Sequence, residues 1–177
     1  LEDRYGLIDR TEDKSISMGY AGFVYEQRDA WLGGGYTSAG FTAFSGDLDM
    51  NAQARATDRS GRHTAGGFSH WNYELSRLNA LTRNANLFIG ISGQFADKNL
   101  TSAEKISLGG PRGVRAYAPS EAAVDEGHVV NLELRYSVTP ELSLQCFYDW
   151  GWGKYNHNPG ASDRDNHVSL RGYGLGA

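Results

Sequence analysis

His128-Val129-Val130-Asn131-Leu132-Glu133-Leu134-Arg135-Tyr136-Ser137-Val138-Thr139-Pro140-Glu141-Leu142-Ser143-Leu144-Gln145-Cys146-Phe147-Tyr148-Asp149-Trp150-Gly151-Trp152 is the stretch whose reading decides the fold. On an extended chain Val130, Leu132, Leu134, Tyr136 and Val138 share one side, opposite Asn131, Glu133, Arg135 and Ser137. After Thr139-Pro140-Glu141 the alternation resumes, with Leu142, Leu144, Cys146, Tyr148, Trp150 and Trp152 against Ser143, Gln145, Phe147, Asp149 and Gly151. A period of two over both runs predicts strands, and the tight turn between them predicts an antiparallel hairpin. The second face carries Asn, Glu, Arg, Gln and Asp where a soluble sandwich needs core residues. Both runs also exceed the ~5–6 residues of an ordinary soluble strand. An apolar exterior around a polar interior is the arrangement of a membrane-spanning β-barrel.

The same period recurs on either side. Asn86 to Phe95 sets Leu87, Ile89, Ile91, Gly93 and Phe95 against Asn86, Phe88, Gly90, Ser92 and Gln94, and Phe68 to Arg77 sets Trp71, Tyr73 and Leu75 against His70, Asn72, Glu74 and Ser76. Weaker windows run from Ser15 to Gln27, with Ile16, Met18 and Tyr20 alternating, and from Gly34 to Leu48, with Ala39, Phe41 and Ala43 alternating. A last window runs from His167 to the chain end. About seven strands result, each near the ~9–11 residues that cross a bilayer when tilted. The expected fold class is all-β, an antiparallel up-and-down transmembrane β-barrel, here a partial one. Short connections at 28–33, 79–84 and 139–141 alternate with long polar ones at 49–65, 97–127 and 154–166, so the long loops are expected on one side of the membrane. Trp31, Trp71, Tyr136, Trp150 and Trp152 stand near strand ends, where interfacial aromatic girdles belong.

Composition removes other classes. Of 177 residues 23 are Gly and 4 Pro, without a three-residue period, so the chain is not collagen-like. Cys146 is the single Cys and forms no internal disulfide. Mean hydropathy is −0.52, and no apolar run approaches the ~20 residues of a membrane-spanning helix. With 17 basic and 21 acidic residues scattered along the chain there is no basic stripe, and no nucleic-acid partner is expected.

The connection 97–127 is too apolar for a disordered linker. It contains Ser102-Ala103-Glu104-Lys105-Ile106-Ser107-Leu108-Gly109-Gly110-Pro111-Arg112-Gly113-Val114-Arg115-Ala116-Tyr117. A loop of this kind folds back, with Gly109, Gly110 and Pro111 turning the chain and Arg115 offering a fork of donors to a carboxylate.

This run resembles the signature loop of the outer-membrane transporters of two-partner secretion, the haemolysin activation/secretion (TpsB) family, in the superfamily of BamA. The resemblance extends to Arg28-Asp29-Ala30-Trp31-Leu32-Gly33-Gly34-Gly35, to Ser92-Gly93-Gln94-Phe95-Ala96-Asp97-Lys98-Asn99-Leu100, to Asp125-Glu126-Gly127 with Asn131-Leu132-Glu133-Leu134-Arg135-Tyr136, and to Phe147-Tyr148-Asp149 at the family's Phe-x-Asp motif. It implies that the loop dips into the lumen, with Val114, Arg115, Ala116 and Tyr117 as its motif and Phe147 and Asp149 as the wall partners. It also implies a bacterial outer-membrane pore secreting a large TpsA-type exoprotein, in contact with outer-membrane lipid and with no small-molecule substrate. Ala116 stands where the family usually has Gly, and would be strained if that position needs positive φ. Val124-Asp125 stands where Gly-Asp is common.

The chain opens on Leu1-Glu2-Asp3. On the resemblance, residues 1–177 are expected to be the C-terminal part of a barrel of about sixteen strands, with POTRA domains and the first half upstream and two strands to follow. A BamA- or TamA-type assembly factor shares the loop and is the alternative within the superfamily; a soluble β-rich binding module is the alternative from another class. No catalysis, metal or cofactor is expected. His63, His70, His128, His157 and His167 lack ligand spacing, Asp163, Asp165 and Asn166 lack the calcium-loop pattern, and no Ser lies in a Gly-x-Ser-x-Gly context.

Overall fold

Residues with period-two alternation and few Pro extend and pair with their sequence neighbours. The computed structural model describes residues 13–160, 163 and 165–177. In chain order the strands are β1 (Lys14–Asp29), β2 (Gly35–Met50), β3 (Gly66–Ala80), β4 (Ala85–Ala96), β5 (Ile106–Ser107), β6 (Ala123–Val124), β7 (Glu126–Ser137), β8 (Ser143–Lys154) and β9 (His167–Gly176), with a helix α1 (Ala52–Arg59) between β2 and β3. Seven form one sheet in the order β1-β2-β3-β4-β7-β8-β9, and β5 pairs with β6 inside the long connection. Every pair in the large sheet is antiparallel. The short turns gather at one end of the strands and the long connections at the other, as the sequence predicts.

The register assigns the faces. Asn131 opposes Asp149 and Glu133 opposes Phe147, so the polar set of β7 and β8 shares the face on which the long β4–β7 connection lies. The opposite face is apolar and exposed, with Leu75, Ile91, Leu132, Leu134 and Leu144. Tyr73, Phe95, His128, Trp152 and Trp150 form a continuous aromatic row on it, with ring centroids 4.4–5.9 Å apart. Cys146 is exposed on the same outer face.

β1 departs from this pattern. Its alternating Ile16, Met18 and Tyr20 pair with Leu48, Gly46 and Phe44, so they lie on the inner face with Leu48. All three are exposed there, while β1, β2 and β3, at 15–16 residues, outrun the ~9–11 needed for a crossing. Beyond the crossing the inner face becomes a small globular core, in which Leu48, Met50, Phe68, Ala96 and Leu100 enclose Ala54 of α1.

The eight-residue α1 is not foreseen by periodicity, because only Ala54 of it is buried and one residue makes no period. Its start is local chemistry: the Asn51 side chain accepts from the Ala54 amide at 2.9 Å, an N-cap. Asp58 then fixes the return into β3, accepting from the amides of Thr64 (2.9 Å) and Ala65 (3.0 Å) and from the Thr64 hydroxyl (2.7 Å). Burial opposes ionisation of Asp58, but these donors outweigh it and hold the carboxyl below its ordinary value of 3.8. A folded value below the unfolded one gives stability that is present above pH 3.8 and lost as the pH falls through the folded value. Asp58→Ala is therefore expected to speed amide exchange of Thr64 and Ala65 at neutral pH and to abolish the acid-dependent loosening of this connection; exchange measured by mass spectrometry across residues 51–65 checks both.

Candidate functional site

The β4–β7 connection is tied at two levels. At its root, Asp125 is fully buried and pairs with Lys105 at 2.8 Å, while accepting from the amides of Leu100 (3.1 Å) and His157 (2.9 Å). Gln94 of β4, 2% exposed, donates to the carbonyls of Glu104 and Asp125. Asn99 bonds to the backbone of Arg62 and Asn158, joining three long connections. His70 of β3 meets Glu104 at 3.1 Å.

From this root the chain descends over the inner face of β7, β8 and β9. Leu108, Val114 and Val124 are fully buried against Val129 and Leu170. They fit because the wall beneath them lacks side chains: a Cβ on Gly151 would stand 3.0 Å from Val114 Cγ2, and one on Gly172 would stand 2.9 Å from Ala116 Cβ. The descending and ascending arms close at Gly110-Pro111-Arg112-Gly113, a turn with Gly113 N donating to Gly110 O at 3.0 Å and Pro111 at its second position. Gly110 takes φ of +101°, which L side chains avoid. Ala116 is not among the residues with positive φ, so its methyl brings no backbone strain and lies on Gly172 instead.

A second turn, in which Tyr117 N donates to Val114 O at 3.1 Å, presents Arg115 to the wall. Arg115 donates to Asp149 through its backbone amide (3.0 Å), Nε (2.9 Å) and Nη2 (2.9 Å), and through Nη1 to Glu133. Its guanidinium carbon lies 3.8 Å from the Phe147 ring centroid, a stacked cation–π contact. Asn131 bridges wall and loop, donating to Asp149 at 2.7 Å and to Gly113 O at 2.9 Å. Glu133 also accepts from Arg135, so two carboxylates alternate with two guanidiniums.

Among the residues singled out from the sequence, the structure brings Val114, Arg115, Ala116, Phe147 and Asp149 together; Gly110 and Pro111 build the turn, while Gly109 precedes it and bonds to Glu121 O. Tyr117 is different: its N–H closes the second turn and its carbonyl accepts from Gly110 N, while its side chain is exposed. Sequence reasoning placed Asn131 and Glu133 inward without giving them this contact. The available signal was their polar face directly opposite Asp149 and Phe147 in the hairpin. Asp163 and Asn166 serve the β8–β9 connection, bonding to Asn156 and, for Asn166, to Tyr155.

Comparisons with known proteins bear on this arrangement. The profile of a family described as haemolysin secretion/activation protein ShlB/FhaC/HecB matches residues 9–177. Over 115 residues the chain is 40% identical to the heme/hemopexin transporter protein HuxB of Haemophilus influenzae strain 86-028NP and 39% identical to the protein of the same description from strain Rd. Each alignment covers 62% of this chain and 20% of the relative, so the chain spans about one fifth of the length of the curated relatives it matches. Among solved structures it is similar to CdiB from Acinetobacter baumannii, with 14% identity and a TM-score of 0.40 over 92% of this chain and 41% of that one.

Asp149 has no exposure and four donors for its roughly four lone-pair positions. Asp149→Asn keeps the shape but removes the charge and turns one acceptor into a donor facing donors. In the full-length protein it is expected to cost on the order of 3 kcal/mol of loop docking, read as faster protease cleavage between residues 105 and 120. Gly172→Ala should loosen the same segment by collision with Ala116, and the double change with Ala116→Gly should recover most of the protection. Equal protection in all of these variants would refute the assigned contacts.

Proposed function

Because the chain belongs to the haemolysin secretion/activation family, whose members are outer-membrane β-barrel proteins, we propose that its seven strands are part of the barrel of a two-partner secretion transporter, through which a TpsA-type exoprotein leaves the cell. The observation that carries this reading is the latched loop. It covers the inner face of β7–β9 and leaves the inner face of β2–β4, with Ser38, Gly40, Thr42, Asn72, Gly90 and Ser92, around an open space of about 1020 Å³. Apart from Phe44, Glu74 and Phe88 these side chains are small, polar and uncharged, offering an extended polypeptide little to stick to and hydrogen-bonding partners in place of water. No nucleotide or cofactor enters this reading, since movement is expected to follow from folding of the cargo outside.

In this proposal residues 97–127 are the lumenal signature loop, Arg115 its tip, and Phe147 and Asp149 the wall site that sets its position. A cargo that handles haem or hemopexin is a second reading, favoured by the 40% identity to proteins described as heme/hemopexin transporters.

Asp149→Ala in the full-length protein is expected to lower the exoprotein in the culture supernatant about tenfold, with the variant present at wild-type level in the outer membrane. Unchanged secretion together with unchanged protease accessibility of residues 105–120 would sink the proposal. Normal secretion with defective insertion of other barrel proteins would point to an assembly factor instead.

A further inference from the structure

We propose that the outer face of β8 and β9 binds the phosphate of an anionic lipid headgroup in the outer leaflet, with Arg171 as the ligand-binding cation. The inference rests on the barrel standing in the outer membrane and not on what it transports.

The inner positions of β9 are Val168, Leu170, Gly172 and Gly174, so Ser169, Arg171 and Tyr173 face outward. Arg171 opposes Trp150 in the register and its guanidinium carbon stands 5.7 Å from that ring. On the side of β8, the strand that pairs with β9 among the described residues, no carboxylate meets it. The other outward cation nearby, Lys154, is committed to Glu126 at 3.0 Å. The remaining polar group at the same level is the Ser169 hydroxyl, which accepts from the Trp150 indole at 3.1 Å and keeps its own proton to donate.

Depth decides what such a cation meets. Trp150 lies seven residues above Ser143, the start of β8 at the short-turn end. At about 3.4 Å per residue and a tilt of about 40°, that is roughly 18 Å of an apolar band about 25 Å tall. Arg171 therefore sits in the outer-leaflet third of the band, level with Trp150 and just below Trp152. A bare guanidinium is disfavoured there, and the side chain is long enough to reach the headgroups. A phosphate accepts two parallel N–H bonds from a guanidinium fork, and Trp150, 5.7 Å from the guanidinium carbon, flanks the side chain without engaging its donors. The outer leaflet of this membrane supplies that group as a phosphorylated glycolipid.

The test uses full-length protein in a neutral detergent, titrated with lipid A bearing its phosphates, with dephosphorylated lipid A and with inorganic phosphate, and followed by native mass spectrometry and by unfolding temperature. Wild type is expected to bind the phosphorylated lipid and to gain thermal stability from it. Arg171→Leu should bind it about tenfold more weakly, as loss of one charge-assisted hydrogen-bonding group predicts, and Arg171→Lys should fall between. Dephosphorylated lipid A and inorganic phosphate should bind neither form. Equal affinity in wild type and Arg171→Leu overturns the proposal, as does inorganic phosphate binding as tightly as the lipid. A lower unfolding temperature of Arg171→Leu without lipid, at unchanged lipid affinity, also overturns it, because the guanidinium would then be paired within the protein. Placing Leu on a lipid-facing position keeps the variant foldable.

Discussion

The structure depends on one constraint, the complete burial of a carboxylate on a strand. Asp149 has no exposure, and the sheet around it supplies a single donor, Asn131. An ionised side chain enclosed in this way needs several charge-assisted bonds to offset the water it has lost. The other three donors all come from Arg115, so residue 115 must be brought to the middle of the wall. A short turn between β4 and β7 could not reach it. The length of the 97–125 connection, its root at the long-loop ends and its sharp reversal at Gly110 all follow from that delivery.

Geometry at the wall follows from the same need. Bringing a backbone amide, and not only a side chain, to Asp149 requires the loop to lie almost on the sheet. Large inner residues under the loop tip would hold it away, and the positions beneath Val114 and Ala116 are instead Gly151 and Gly172, beside Phe147, Asp149 and Leu170. The outer positions of the same strands are Tyr148, Trp150, Trp152 and Tyr173. β8 and β9 thus carry glycines where the loop lies closest on one face and aromatic rings on the other. This asymmetry explains why a chain with 23 glycines can still present a continuous apolar exterior.

How far this could be read from sequence varied with the range of the interaction. The β7–β8 hairpin was legible almost residue by residue, because each face has one chemical character and a one-residue slip would expose it. The division into short and long connections was legible for the same reason. β1 was harder: its Ile16, Met18 and Tyr20 alternate just as a lipid face does, yet they turn inward, and only pairing with Leu48 and Phe44 tells the two faces apart. Helix α1 left no periodic trace, since its fold depends on an Asn51 cap and one buried Ala54. At the site, Arg115 and Asp149 could be named from motif resemblance. The roles of Asn131 and Glu133 required the register, and the fit of Ala116 onto Gly172 required the three-dimensional approach of segments more than fifty residues apart.

Two kinds of force hold the loop, and their magnitudes assign them different work. Burying Leu108, Val114 and Val124 completely contributes about 1.5–3 kcal/mol each, or roughly 5–9 kcal/mol together as an upper bound. The ionic cluster contributes less in net terms, because the attraction of Arg115 for Asp149 and Glu133 is largely offset by desolvation of the carboxylates. Adhesion is therefore mainly apolar, and non-directional apolar contact alone sets the loop's register on the wall only loosely. The cluster removes that freedom: a bidentate fork, a backbone amide and a stacked ring converge on one carboxylate in a single register. Loss of Asp149 thus leaves a loop that still adheres but no longer has a defined position, whereas loss of the apolar contacts frees it altogether.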